Sequence, residues 1–455
     1  MKILLVQPAK PEKALGGEDF SIFEPLALEY LAAGVAGDHD VRILDMRLDP
    51  DLEAQLSGFQ PEVVGLTAYT VHVNTVKRLC QQIKAFNPEL VTIVGGHHAT
   101  VSPEDFYVPS IDIIAKGEGV FPFREIIIRL EKHLDPAGIP GAVRLDHGAM
   151  VIRQEEPVLD LDAYPFPRRE LTAAYRQSYF SEWMRPLASI RTSKGCHFRC
   201  QFCALWKLTG GRYLTRKPEH IVEELGSIAE NYVFFADDES LLDTARMEAL
   251  ADLIHRAGIS KRYFLYGRSD TIARHPKLLE QWKKIGLERV FVGLEGRQDA
   301  ELKLLRKGST VENNVSALQI LKDLGIDIWP MFIVRPEFDR RDFADLRQYC
   351  LDLDLDFIGF SVLTPLPGTD LYQEVKDRLI TVDYDYFDFF HTLLPTALPL
   401  KDFYGELATL FRRSRSLKNQ VRLMRKYRLR ELPSLFRAYG GLIGRLKTLA
   451  EDYAH

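Results

Sequence analysis

Two long stretches of this chain alternate short β-branched runs with amphipathic helical ones, and few architectures accept such an order. In the first third, apolar runs at residues 3–6, 41–44, 63–67, 91–94 and 111–115 are separated by helical periodicity at 26–35, 75–86 and 121–134. Strand, helix, strand with short connections predicts a doubly wound parallel sheet, whose ligands bind beyond the carboxyl ends of its strands. The alternation resumes later with strand candidates at 187–190, 232–236, 263–266, 289–292, 328–334 and 357–363, and helices between them. Six such units make a partial (β/α)6 barrel rather than a closed eight-fold one. The expected fold is therefore α/β: a Rossmann-like domain over 1–140, a hairpin and Pro-rich linker over 141–186, the partial barrel over 187–380, and a mainly helical extension over 381–455.

Between the two blocks sits the chemistry-bearing loop. Cys196, Cys200 and Cys203 follow the apolar run at 187–190 with the spacing C-x3-C-x2-C. Three thiolates on one short loop can each hold one iron of a four-iron cluster, which leaves the fourth iron without a side-chain ligand. A Cys3His zinc knot that includes His197 is the alternative, although zinc usually wants paired ligands and no second pair follows. A disulfide framework does not suit 5 cysteines in 455 residues. Phe202, just before the last cysteine, would shield a cluster from water.

The strand ends carry the remaining candidates. In the first block these are Thr67, Tyr69 and Thr70, then Gly95, Gly96 and His98, then Gly117 and Glu118. Glycine there lets backbone approach a ligand, or simply makes tight turns. No G-x-G-x-x-G follows the first strand, against a dinucleotide site. In the barrel, Asp237, Asp238, Glu239, Arg268 and Glu295 stand at strand ends, where acids and an arginine suit a zwitterionic ligand or form structural ion pairs.

The cysteine spacing with Phe202 before the third thiol resembles the radical S-adenosylmethionine (SAM) superfamily. Gly95-Gly96-His97-His98-Ala99-Thr100 with Gly117-Glu118-Gly119 resembles the cobalamin-binding Rossmann domain that precedes many such barrels. The resemblance implies a 4Fe-4S cluster on the three cysteines and SAM on its open iron. Phe202, Asp237, Asp238, Glu239, Arg268 and Glu295 would lie around SAM. The cobalamin tail would lie among Thr67, Tyr69, Thr70, Gly95, Gly96, His98, Gly117 and Glu118. The first loop, Gln7-Pro8-Ala9-Lys10, lacks the D-x-H-x-x-G of classical methyltransferases, so the resemblance implies cobalt without a histidine ligand. Thr364-Pro365-Leu366-Pro367-Gly368-Thr369-Asp370-Leu371-Tyr372 is similar to the family's closing motif, whereas Arg335-Pro336-Glu337 departs from it.

Formal charge is -5, yet residues 411–447 hold twelve Arg and Lys against Glu431 alone. Apolar residues from Leu432 to Leu449 recur there at helical spacing, which suits either an anionic membrane surface at 411–449 or docking on the acidic remainder. Nucleic acid is the third option for this charge, but no stacking-and-glycine module accompanies it, so none is expected, and no run reaches the roughly 20 apolar residues of a membrane span. The expected location is cytoplasmic, at the inner membrane surface where the tail makes contact. The aromatic run from Tyr384 to Phe390 is expected to cap the barrel.

The layout resembles hopanoid C-3 methylases. That implies methylation of an unactivated carbon of a polycyclic lipid, through a 5'-deoxyadenosyl radical and methylcobalamin, with electrons from an external flavodoxin or ferredoxin. The same modules also resemble oxidative cyclases of tetrapyrroles, in which no methyl group moves.

Overall fold

The computed structural model describes the chain except residues 36, 38, 137, 147–148, 153–159 and 454–455, and gives backbone alone over 144–146 and 149–152. The chain divides into two units: Met1–Ala14, Glu24–Ser178 and Asp383–Phe387 in one, Leu15–Phe23, Tyr179–Val382 and Asp388–His455 in the other.

The first unit is built on one sheet. Its parallel strands stand in the order Asp40–Asp45, Lys2–Gln7, Val63–Thr67, Val91–Gly95, Ile113–Ala115. They are buried on both faces, which is why they read as continuous Val, Ile and Leu runs. Chain order reverses between Lys2–Gln7 and Val63–Thr67, so the crevice that ligands favour opens at the loops after those two strands.

Expected in a connector that starts at 141, the hairpin instead completes this sheet. Ala142–Asp146 pairs antiparallel with Ile113–Ala115 and Ala149–Ile152 pairs with it in turn, which covers what would otherwise be an open edge. Its turn at His147 and Gly148, and Pro157 beyond it, lie outside the described residues. The expected connector as far as Ser178 is tied to the same unit, since Thr172 donates to Glu29 at 2.5 Å and Arg176 pairs with Glu24, whereas from Tyr179 on it belongs to the second unit.

The second unit is the expected six-stranded partial barrel. Leu187–Ile190, Tyr232–Phe235, Arg262–Tyr266, Leu287–Glu295, Asp327–Val334 and Gly359–Val362 stand side by side in chain order, all parallel. Side chains alternate along them. Val233, Phe235, Tyr263, Leu265, Val290, Val292, Phe332 and Val334 pack outward under the helices. Phe234, Phe264, Tyr266, Phe291 and Trp329 point into the barrel, where Phe23, Trp183 and Met184 join them.

The C-terminal part is helical, with Leu400–Arg413, Leu417–Met424 and Leu432–Thr448. Leu446 and Leu449 are fully buried in the barrel's outer core and Leu442 and Ile443 pack against it, so the apolar stripe of the last helix is docked. The aromatic run before these helices is split between the units. Residues 383–387 belong to the first, where Tyr384 Oη donates to Asp105 at 2.7 Å and Asn74 donates to Asp383 at 2.8 Å. Past Asp388 the chain follows the barrel's last strand, and Val362 N–H donates to the Phe389 carbonyl at 2.7 Å.

Candidate functional site

The cysteine loop leaves strand Leu187–Ile190 under tight control. Asp237, at the end of the next strand, accepts from Thr192 N–H at 2.7 Å, Ser193 N–H at 2.8 Å and the Thr192 hydroxyl at 2.6 Å. Both its carboxylate oxygens are thus taken by backbone and hydroxyl donors. Expected beside SAM, Asp237 instead braces the loop. Asp238 accepts from Gly195 N–H at 2.6 Å. Gly195 has φ +87, and a Cβ there would lie 2.2 Å from the Arg212 carbonyl. Only glycine fits.

The far side of the loop is held as firmly. Gln201 N–H donates to the Leu305 carbonyl at 3.2 Å, and Leu371 N–H donates to the Gln201 carbonyl at 2.9 Å. The segment at 364–372 therefore clamps the cysteine loop, with Thr369 capping helix Asp370–Val375 through Tyr372 N–H at 3.0 Å. Phe202 is partly buried and packs against Leu305, Ile333, Leu363 and Leu371.

Two buried cations face the thiols. Arg268 lies with its guanidinium carbon 3.4 Å from the Phe198 ring centroid, donates to Asp270 at 2.9 Å and to the Lys307 carbonyl at 2.6 Å. Lys307 donates to Glu295 at 2.7 Å, and that carboxylate and the Cys200 sulfur oppose the burial that would otherwise lower its pKa. Burial pushes the Cys196 thiol up to about 11 and the Cys203 thiol up to about 12. A metal that binds them must displace their protons, and the cations offset the charge that remains. Among the described residues no three His, Cys, Asp or Glu side chains converge on a point that a single ion could occupy. Three thiols on one loop suit a polynuclear cluster, with each sulfur on its own iron.

Glu295 and Glu239 complete this end of the barrel. Glu295 has φ +62, and a Cβ on Gly293 would lie 2.3 Å from its carboxylate, so the strand end Gly293-Leu294-Glu295 turns the side chain back over a glycine. Glu239 accepts from Leu241 N–H at 3.2 Å and Arg268 N–H at 3.3 Å. Its burial raises its pKa to about 7. Glu239, Glu295, Arg268 and Lys307 thus form one charged patch beside the cysteines, above the aromatic interior where Tyr266 and Phe291 meet edge to face at 4.8 Å. Lys307 and the aromatic interior escaped the sequence reading. The signal for the interior was the alternation of Phe234, Phe264, Tyr266 and Phe291 with the outward residues of their strands.

In the first unit, the loops after Val63–Thr67 and Val91–Gly95 are pressed together. Gly96 has φ +99, and a Cβ there would lie 2.6 Å from Thr67 Oγ1 and 2.8 Å from Ala68 N. Tyr69 is 58% exposed at this mouth, with the His97 ring 6.0 Å away. Gly117, with φ +80, donates to Thr100 at 3.0 Å, and Glu118 accepts from Tyr164 Oη at 2.8 Å. His98 departs from its expected place in the lining. It is fully buried, and its two ring nitrogens contact Thr70 Oγ1 at 3.1 Å and Asp105 at 2.9 Å. Thr70, its partner, is buried too, so the pair holds the mouth from behind. His72 is buried and its pKa is lowered to about 4 by desolvation and by Arg47. His39 sits at the opposite end of the sheet, 3.2 Å from the N-terminal amine. A glycine-pinched mouth beside the sheet's switch point, with an exposed tyrosine, fits a flat ligand that lies over the strand ends.

Comparison with known proteins agrees with both halves of this description. Residues 12–127 match the B12 binding domain and residues 190–350 match the radical SAM superfamily. The chain is 32% identical over 414 residues to the hopanoid C-3 methylase of Methylococcus capsulatus, covering 90% of this chain and 79% of that one. It is 26% identical over 435 residues to the anaerobic magnesium-protoporphyrin IX monomethyl ester cyclase of Rubrivivax gelatinosus, covering 91% and 77%. The solved structure of the cobalamin-dependent S-adenosylmethionine radical enzyme OxsB, with aqua-cobalamin and S-adenosylmethionine bound, superposes with a TM-score of 0.74 at 17% identity over 99% of this chain and 71% of that one. The chain belongs to the cobalamin-dependent radical SAM enzymes, in the methyltransferase family that contains the hopanoid C-3 methylase, and its cofactors are a 4Fe-4S cluster, SAM and cobalamin.

Proposed function

We propose that this enzyme methylates an unactivated carbon of a hydrophobic, polycyclic lipid of the hopanoid type. The observation that carries the reading is the aromatic interior of the barrel. Tyr266, Phe291 and Trp329 are partly exposed there and, with the buried Phe234 and Phe264 behind them, offer flat apolar walls next to the charged patch. A rigid ring system binds such walls with little loss of its own conformational freedom. The name of the Methylococcus relative, at 32% identity, supports the same substrate class.

The bound cofactors supply the hydrogen-abstracting radical and the methyl group. The chain's own contribution is placement and exclusion of water. Cys196, Cys200 and Cys203 hold the cluster, and Arg268 and Lys307 balance its charge. Asp238, Glu239 and Glu295 accept from the SAM ammonium and ribose, while Arg268 meets the carboxylate. Phe202 keeps water from the cluster. In the first unit Thr67, Tyr69, Gly95, Gly96, Gly117 and Glu118 receive cobalamin, with Thr70 and His98 behind them. Electrons come from an external flavodoxin or ferredoxin.

The test is anaerobic turnover of the reconstituted enzyme with methyl-deuterated SAM and a pentacyclic triterpenoid. A product that carries the deuterated methyl group, with release of 5'-deoxyadenosine, is expected. The likeness to the Rubrivivax cyclase at 26% identity favours one other reading, oxidative ring closure of a tetrapyrrole. An oxidised product with no deuterium, formed from a tetrapyrrole and not from a triterpenoid, would establish that reading instead.

A further inference from the structure

The docked last helix leaves a different part of the C-terminal region facing outward. Helix Leu417–Met424 and the turn after it run across the end of the barrel where the strands begin. Asn419 Nδ2 donates to the Leu355 carbonyl at 3.0 Å, Arg422 donates to Asp356 at 2.6 Å, and Lys426 pairs with Asp327. Leu423 is buried. Residues 419, 422, 423 and 426 therefore form the inner face of the strap; helical geometry turns 417 and 421 outward, and Arg425 and Arg428 in the turn after the helix are exposed.

The exposed residues that run from this strap through the turn at Leu429–Glu431 into the first turns of helix Leu432–Thr448 combine two features that seldom coincide on a surface exposed only to water. Leu417 is 79% exposed, Leu429 86% and Phe436 59%, with Val421 beside them at 43%. Around them Arg413, Lys418, Arg425, Arg428, Arg430 and Arg437 are exposed, and Glu431 is the one acid between 412 and 437. Arg428 also borders a groove of 930 Å³ whose wall holds Arg185, Lys261, Arg262, Lys283 and Lys284 against Glu288 alone. Basic charge thus continues from the strap into this groove, while Asp327, Asp354 and Asp356 on the strap's other side are paired with Arg422 and Lys426.

We infer that this strap and the adjoining barrel end are a docking surface for an anionic lipid bilayer. Separate apolar tips on a ribbon of arginine and lysine match a headgroup layer. The cations meet phosphates at the surface while leucine and phenylalanine side chains enter the acyl boundary. The surface lies at the strand-start end, away from the cysteine loop, so docking leaves the barrel's mouth clear. The inference does not depend on the identity of the substrate, because the surface contains none of the residues assigned to cofactors or ring binding.

The experiment is flotation of the full-length, cluster-reconstituted protein with vesicles of equal parts phosphatidylglycerol and phosphatidylcholine, against phosphatidylcholine alone. Association with the anionic vesicles only, weakened by salt, is expected. Combined Arg425→Glu, Arg428→Glu and Arg430→Glu substitutions should lower the vesicle-bound to free ratio about tenfold or more. Combined Leu417→Ser, Leu429→Ser and Phe436→Ser substitutions should lower it most at high salt, where charge is screened. Both variants should keep the parent's iron content and 5'-deoxyadenosine release, which shows that they fold. No flotation of the parent at low salt would overturn the inference, as would variants that float like the parent. So would sedimentation that shows a dimer lost in the leucine and phenylalanine variant, since the face would then belong to a second copy of the chain.

Discussion

Gly195 has room for a hydrogen and nothing larger. Its Cα faces the Arg212 carbonyl and the Thr209 hydroxyl, and its N–H is committed to Asp238. Gly195→Ala is expected to displace the start of the cysteine loop and to drop iron content well below about four atoms per chain, measured on anaerobically reconstituted protein. The Lys307–Glu295 pair makes a second demand at this scale. Both side chains are 9% exposed, so Lys307→Met leaves a buried carboxylate without its partner. We expect a loss of about 3–5 kcal/mol, seen as a lowered unfolding temperature. The double variant Lys307→Met, Glu295→Gln should regain most of that stability without regaining SAM affinity by calorimetry. Cysteine spacing made the loop legible in the sequence, and so did the acids at the strand ends. Lys307 was not legible, because it enters from the connection after Glu295 and its importance comes from what lies across from it.

At the level of elements, the closing motif at 364–372 acts as a brace. Thr369 caps helix Asp370–Val375, and Leu371 N–H reaches back to the cysteine loop. Thr369→Ala should cost about 1 kcal/mol through the lost cap and make the cluster more prone to loss in air, followed by the decay of its visible absorbance. The strands were legible because buried parallel strands are continuous apolar runs. Their inward and outward faces were harder to tell apart, since aromatics stand on both: Phe235 packs under the helices and Phe234 lines the interior. If the interior binds rings, Phe291→Ala should raise KM for a polycyclic substrate several-fold while 5'-deoxyadenosine release without substrate stays unchanged. The hairpin at Ala142–Asp146 and Ala149–Ile152 was visible as strands, but its place at the sheet edge depends on a pairing partner that local sequence does not name.

For the molecule as a whole, buried acids tie stability to pH. Glu29 is fully buried in the first unit, and desolvation together with the nearby Glu24 charge raises its pKa from 4.5 to about 8. The folded form therefore holds this proton more tightly than the unfolded form. The stabilisation is complete below about pH 4.5 and is lost as pH rises toward 8. Glu29→Gln should flatten the fall in unfolding temperature between pH 6 and pH 9, raising it at the alkaline end, as checked by calorimetry across that range. Fold class and domain order were legible from the alternation of runs. The division of the chain was less so, because 15–23 and 383–387 each pack with a unit distant in sequence, and short segments without periodicity carry no address.

That exchange of short segments bears on how the protein can be dissected. The polypeptide passes from one unit to the other after Ala14, Phe23, Ser178, Val382 and Phe387, so no single cut yields two whole pieces. A gene fragment that stops at residue 178 would lack Tyr384 and its bond to Asp105, and one that begins at 179 would lack Phe23 from the barrel's aromatic lining. Co-expressed halves should therefore recover activity only where they reassociate, in the manner of a split reporter.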